Sequence, residues 1–176
     1  MILKFLNIAA NLKNIPRQGW IDKLSIAEPE SVADHTCSMS FMGMILSDLE
    51  NYNTEKILKM IILHDLAESI TGDFTPEQKL KHEKMSLEDK TINEIFSNLP
   101  ENIREQYSQL WNEFQENESV EAKFVHQIDK LEMALQARIY SKEINSSKDI
   151  DSFLDSAKEG IHDPNLLKLF EQISST

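Results

Sequence analysis

Inside the segment MIILHDLAES a histidine stands where an apolar residue belongs. Ile57, Met60 and Ile61 recur at helical spacing, and the next position on that face is His64. Asp65 is beside it, and Glu68 lies four residues after His64 and three after Asp65. Three ionisable groups thus converge on one end of a mostly apolar helix. A carboxylate buried there without a positive partner is costly, and no Lys or Arg occurs between Met60 and Lys79. A divalent metal cation is the economical partner. Two further residues fit as ligands: His35 in ESVADHT and Asp129 in HQIDKLE. Three helices bringing His35, His64-Asp65 and Asp129 together would offer a mixed nitrogen and oxygen set. Such a set suits Mn, Fe, Co, Ni, Mg or Zn and leaves positions open for water or a substrate oxygen. A metal with open positions lowers the pKa of a bound water and polarises a phosphoryl oxygen, which is the chemistry of metal-assisted hydrolysis.

Rival sites fail on spacing. His82-Glu83 is followed by Ser86 rather than the second His of a zinc-protease helix, and Glu159 to His162 is the one Glu-x-x-His, across a helix break. Neither a phosphate-binding G-x-x-x-x-G-K-[ST] loop nor a G-x-S-x-G nucleophile turn is present.

The elements that must position these residues read as helical almost throughout, so the expected class is all-α with about seven or eight helices. Residues 2–13 carry Ile2, Phe5, Leu6, Ala9 and Leu12 on one face. Residues 14–20, with Pro16 and Gly19, read as a loop holding Arg17 and Trp20. From the residues alone a loop Trp covers the core, although loops carry binding residues disproportionately. Ser31 reads as an N-cap with Asp34 completing a capping box, opening a helix to about Leu49 with Met39, Met42, Ile45 and Leu46 inward. Thr54 caps a helix over about 55–70, which Gly72 ends. Further helices follow: one through Ile92, Ile95 and Phe96, one over about 101–116, and a long one over about 119–142 with Val120, Phe124, Ile128, Leu131 and Leu135 on one face. A short helix over 149–158 is stopped by Gly160, and Asp163-Pro164 opens the last.

Composition bounds the rest. The chain has 176 residues, enough for one domain with a sizeable core. Four Gly and five Pro argue against a turn-rich β fold, and a net charge of −12 argues against general nucleic-acid binding. No segment is apolar for long enough to span a membrane, and the N-terminus lacks the pattern of a secretory signal, so a cytoplasmic protein is expected. Cys37 allows no internal disulfide and is expected to be a buried, inert thiol. His126 is expected behind the site or on the surface, and His82 and His162 in solvent. Lys79, Lys81, His82 and Lys84 form a solvated face or offset the negative field near an anionic substrate.

The order His35, His64-Asp65, Asp129 resembles that of the HD-domain metal-dependent phosphohydrolases. The stretches NLKNIPRQGW, ESVADH, HDLAESITGD and DKLEMALQA are similar to the 5′-deoxynucleotidase branch, in order and spacing, over roughly residues 5–140. The resemblance implies one HD domain over residues 1–176, with helices in 148–173 packed on it. It also implies one divalent metal held by His35, His64, Asp65 and Asp129. Glu68 would act near the phosphate as proton donor or water-orienting group, and Asp73 would contact water or the sugar. Arg17 would meet the phosphate and Trp20 the sugar, although Gln18-Gly19 separates these two, which are adjacent in some members. The implied reaction turns a deoxyribonucleoside 5′-monophosphate into deoxyribonucleoside and phosphate, in a homodimer. A guanidinium gripping the phosphate fixes where the sugar lies, and an indole there would exclude a 2′-hydroxyl. Two alternatives stand beside it: an HD phosphohydrolase of another nucleotide or phosphate, and a metal-binding helical regulatory module without turnover. Glu68 and Asp73, which a purely structural site does not need, argue against the last.

Overall fold

The structure is a computed structural model describing residues 2–75, 81–142 and 148–175, the side chains of residues 81–84 and 148–149 excepted. Ten α-helical segments lie in the described residues: α1 (Ile2–Ala10), α2 (Gln18–Leu24), α3 (Val32–Glu50), α4 (Thr54–Leu63), α5 (Glu68–Thr71), α6 (Lys81–Phe96), α7 (Glu101–Glu116), α8 (Val120–Ser141), α9 (Lys148–Gly160) and α10 (Pro164–Ser174). The class is all-α, as expected. The two extra segments are the short α2 and α5. The lysine and histidine cluster Lys79, Lys81, His82 and Lys84 lies outside the described residues and side chains.

α8 is the central strut. Its buried Phe124, Val125, Ile128, Leu131, Ala134 and Ala137 meet α3, α4, α7, α9 and α10. Ile57, Met60 and Ile61 of α4 join the same core, as do Ile150, Phe153, Leu154 and Ala157 of α9, and Leu166 and Phe170 of α10. The C-terminal helices are thus built into the main core. Each fully buried aliphatic side chain contributes roughly 1.5–3 kcal/mol. A second cluster joins Leu12, Val32, Leu63, Leu66, Ile92, Ile95, Phe96 and Trp111. α3 and α4 approach so closely at Gly43 that a Cβ there would run into Ile61 Cδ1.

Several local expectations give way to particular contacts. The first helix ends at Ala10 and tightens into a 3₁₀ turn over Asn11–Asn14, and Ile2, Leu3 and Leu6 are exposed. Residues 18–24 are helix rather than loop, because Asp73 Oδ2 accepts the Gln18 N–H at 2.9 Å and holds an N-terminal donor of α2. On α3, Ser31 and Asp34 form the expected capping box, but Ile45 faces solvent. Cys37 is exposed as well: it stands two residues from buried His35, on the opposite side of the helix. Val120, in the first turn of α8, is exposed too. Asn53, not Thr54, caps α4.

The helix expected over 55–70 breaks at His64. His64 Nδ1 lies 2.7 Å from the Ile61 carbonyl, which in a continuing α-helix would accept the Asp65 N–H. The backbone then proceeds by tighter bonds, Leu66 N–H to Leu63 O and Glu68 N–H to Asp65 O, before α5 closes at Gly72 with φ 78°. Among the described residues one bridge lies outside helices. Pro16 pairs antiparallel with Ser31, with Arg17 N–H donating to Glu30 O and Val32 N–H to Ile15 O.

Candidate active site

Each candidate residue reaches the site from a different element. α3 delivers His35 one turn from its cap, the turn after α4 delivers His64 and Asp65, α5 opens with Glu68, and α8 carries Asp129. The Pro16–Ser31 bridge ties Arg17 to the start of α3.

His35, His64 and Asp129 offer donor atoms that all lie within 4.8 Å of one another. Both histidines are locked from behind. His64 Nδ1 donates to the Ile61 carbonyl, and His35 Nδ1 meets Glu132 Oε2 at 2.6 Å. Their Nε2 atoms therefore face the centre, buried and outside any hydrogen bond. His35 Nε2 is 3.2 Å from Asp129 Oδ1 and His64 Nε2 is 3.0 Å from Asp65 Oδ2. Two buried imidazole nitrogens without hydrogen bonds, facing carboxylates, fit a cation of the transition series or zinc. Asp65 stands at the edge of the group, 3.9 Å from His35 Nε2, and Arg17 holds it at 3.3 Å. The positive partner missing near Asp65 in sequence thus comes from a residue 48 positions away.

Glu68 is buried, and with Arg17, Asp65, Asp73 and Asp129 it lines a cavity of about 590 Å³. That volume suits a small nucleotide. Trp20 lines the same cavity, yet it is 2% exposed and packs in the main core, on Phe153 at 4.3 Å and Tyr140 at 5.3 Å. Its indole N–H donates to Glu30 Oε1 at 2.8 Å. His126 does not join the site: it stacks on Phe114 at 4.1 Å and bonds the Phe114 carbonyl. His162 is exposed.

Two residues escaped notice in sequence. Glu132 is 1% exposed and sits behind His35, and Glu30 lies beside both. Glu132 follows Asp129 by three residues, which puts both carboxylates on one face of α8; that spacing was the available signal.

The electrostatics follow from this crowding. Burial and nearby Arg17 disfavour a charged His35, but Asp129 and Glu132 outweigh them and raise it to about 9. Burial opposes ionisation of Asp65, yet His64, Arg17 and His35 hold it below the usual carboxylate range. Asp129 is lowered too, against burial, by His35, Lys130 and Arg17. Burial and the charge of Glu132 push Glu30 up to about 7. Burial disfavours the Arg17 charge, but Asp65, Asp73 and Asp129 raise its pKa further. His126 is lowered, chiefly by burial.

A family model described as HD domain matches residues 9–166. A mouse protein named 5′-deoxynucleotidase HDDC2 is 34% identical over 175 residues, spanning 99% of this chain and 87% of its own. A protein of the same name from Dictyostelium discoideum is 37% identical over 184 residues, spanning 98% of this chain and 96% of its own. Among solved structures, the PH0347 protein from Pyrococcus horikoshii OT3 superposes with a TM-score of 0.79 at 35% identity, covering 99% of this chain and 97% of that one.

Proposed function

The chain belongs to the HD domain family, and we infer that it is a metal-dependent 5′-deoxynucleotidase, releasing phosphate from deoxyribonucleoside 5′-monophosphates. The observation that carries this is the pair of buried Nε2 atoms on His35 and His64, turned toward Asp129 beside a cavity that also holds Glu68. Relatives bearing that activity in their names span nearly the whole chain. His35, His64, Asp65 and Asp129 are the residues proposed to hold one divalent metal. When bound, it supplies Lewis acidity at a phosphoryl oxygen and acidifies a water.

The chain's own residues do the rest. Arg17 binds the phosphoryl oxygens, exchanging its contact with Asp65 for the incoming anion. Asp73 holds Gln18 N–H and so fixes the start of α2 next to Arg17; its role is to orient that segment and the water or sugar beside it. Glu68, kept from bulk water, takes a proton from the attacking water and passes it to the leaving 5′-oxygen. Trp20, fixed in the core, presents one rim of the indole to the sugar and excludes water there. Residues 1–176 act as one domain, because α9 and α10 complete the main core.

A homodimer is proposed through α3, where Phe41, Ile45 and Leu49 form a stripe 62%, 55% and 70% exposed. Sedimentation at two concentrations tests it, and a monomer throughout refutes it. A cytoplasmic location is proposed with that nucleotide substrate. Among the described residues no helix is long and apolar enough to cross a membrane.

The test of activity is phosphate release from deoxyribo- and ribonucleoside monophosphates with Mn²⁺, Co²⁺, Ni²⁺, Mg²⁺, Fe²⁺ and Zn²⁺ added singly. Release with a metal, preferring the deoxy series, is the expected result. No release from any nucleotide refutes the assignment.

A further inference from the structure

Four acidic side chains of the cavity wall, Asp65, Glu68, Asp73 and Asp129, face three cations: Arg17, Lys23 and Lys130. A phosphate ester brings two negative charges, as many as a divalent metal offsets. Arg17 alone leaves the loaded cavity with an excess of negative charge, so binding the anion calls on a second cation near it.

Position singles out which. The Lys23 ammonium rests over the Phe153 ring, 5.3 Å from its centroid. The Lys130 ammonium is instead 3.8 Å from Asp129 Oδ2. The other oxygen of that carboxylate, Oδ1, lies 3.2 Å from His35 Nε2 and 4.0 Å from an Arg17 nitrogen. Arg17 and Lys130 therefore approach Asp129 at its two different oxygens, and both line the cavity beside the candidate metal site.

Lys130 is also guided there. At the end of α9 the backbone of Gly160 lies under its stem. A Cβ at Gly160 would stand 2.9 Å from Lys130 Cγ, 3.4 Å from Cδ and 3.6 Å from Cε. Three successive carbons of the stem run along a groove that only glycine leaves open, and the near end of the side chain cannot swing clear cheaply. A seated stem loses less rotamer freedom on gripping a ligand than a lysine waving in solvent. The contact with Asp129 alone does not explain this seat, since a part-exposed ion pair at that distance contributes little.

We propose, resting on the phosphomonoesterase function above, that Lys130 is a second phosphate-binding residue and that Gly160 is the positioning residue that seats it. Helix α9 would then serve the phosphate subsite as well as the core.

The test separates the two halves of the product. Lys130→Met, Lys130→Arg and Gly160→Ala are compared with the unaltered protein, each checked for metal content. Binding of inorganic phosphate is measured by calorimetry on the metal-loaded protein, and KM and kcat with dAMP. Deoxyadenosine serves as an uncharged inhibitor. Lys130→Met should weaken phosphate binding and raise KM about tenfold, the scale of one part-exposed charged hydrogen bond. Its kcat, metal content and deoxyadenosine inhibition should stay within about twofold of the unaltered protein, well inside that tenfold step. Lys130→Arg should recover most of the loss, and Gly160→Ala should move phosphate in the same direction. Phosphate binding within twofold of the unaltered protein in Lys130→Met overturns the proposal, as does a loss matched by lost metal or by weaker deoxyadenosine inhibition. A phosphate effect in Lys130→Met but none in Gly160→Ala overturns the role of Gly160. An unaltered protein that binds phosphate yet hydrolyses no nucleotide refutes the deoxynucleotidase assignment, and calorimetry still decides on Lys130.

Discussion

Replacing Glu132 by Gln tests whether His35 is tuned from behind. Glu132 Oε2 is 2.6 Å from His35 Nδ1, and both side chains are buried. Its negative charge makes the ring more basic and keeps the Nε2 lone pair turned to the cavity. Gln keeps an oxygen able to accept the Nδ1–H but removes the charge. Charge-assisted hydrogen bonds are about twice as strong as neutral ones, so the loss is on the order of 1–1.5 kcal/mol. Metal affinity should therefore fall about tenfold. Ala removes the acceptor altogether and orphans a buried N–H, a further ~1–3 kcal/mol, so about a hundredfold loss is expected. The assay is calorimetric titration of Mn²⁺ into metal-free protein, run in buffers of different ionisation enthalpy so that the proton displaced from His35 is counted and its competition removed from the affinity, with helix content checked by circular dichroism. Proton NMR of the metal-free Gln variant should show His35 titrating below its value of about 9. Metal affinity within twofold of the unaltered protein in both variants, with the fold intact, would refute the reasoning.

Asp129→Asn and His64→Ala should each lose metal and activity together, whereas Glu68→Ala should keep its metal and lose roughly 10²–10⁴-fold in kcat; elemental analysis beside turnover distinguishes the two classes. Trp20→Ala should destabilise the protein by about 3–5 kcal/mol in denaturant unfolding, because the indole is packed on Tyr140 and Phe153. Trp20→Phe keeps most of that packing and is the better probe of sugar choice, expected to narrow the dAMP to AMP ratio of kcat/KM. The pH dependence has a defined sign. His35 sits at about 9, above its ordinary 6.5, so the stability it lends the metal-free protein is complete below pH 6.5 and lost as pH rises through 9. That loss is on the order of 3 kcal/mol, read by denaturant unfolding at several pH values. Metal affinity should run the other way, rising with pH up to about 9, since the metal and the proton compete for the same nitrogen.

Much of the site could be read in the chain because periodicity exposes it: a histidine at 64 interrupts an apolar stripe, and buried Ile57, Met60 and Ile61 bear that stripe out. The helix break at the same residue could not be read, since it depends on a side chain capturing the Ile61 carbonyl. Arg17 was legible as a loop cation, but its grip on Asp65 is a product of folding across 48 positions. Glu132 looked like one more acid of an acidic chain; only the approach of α3 makes it a buried partner of His35. Cys37 and Ile45 show the opposite limit. Their apolar character predicts burial, but the face of α3 turned to the rest of the chain is the one carrying His35 and Met39.

The bridge between Pro16 and Ser31 gives the front of the molecule a modular character. Chain enters the bridge at residue 15, leaves at 17, and returns at 30. Everything between, α2 and the turn after it, is an excursion pinched shut at its base. Lengthening a loop closed in this way costs little entropy, about 0.6 kcal/mol per doubling. The excursion carries Trp20 and Lys23 to the cavity wall, while the bridge beneath it anchors Arg17 and the start of α3. Substrate choice can therefore be altered at the cavity-facing positions of residues 18–29, provided Trp20 and Leu24 stay to fill the main core, leaving the proposed phosphate grip and metal ligands in register.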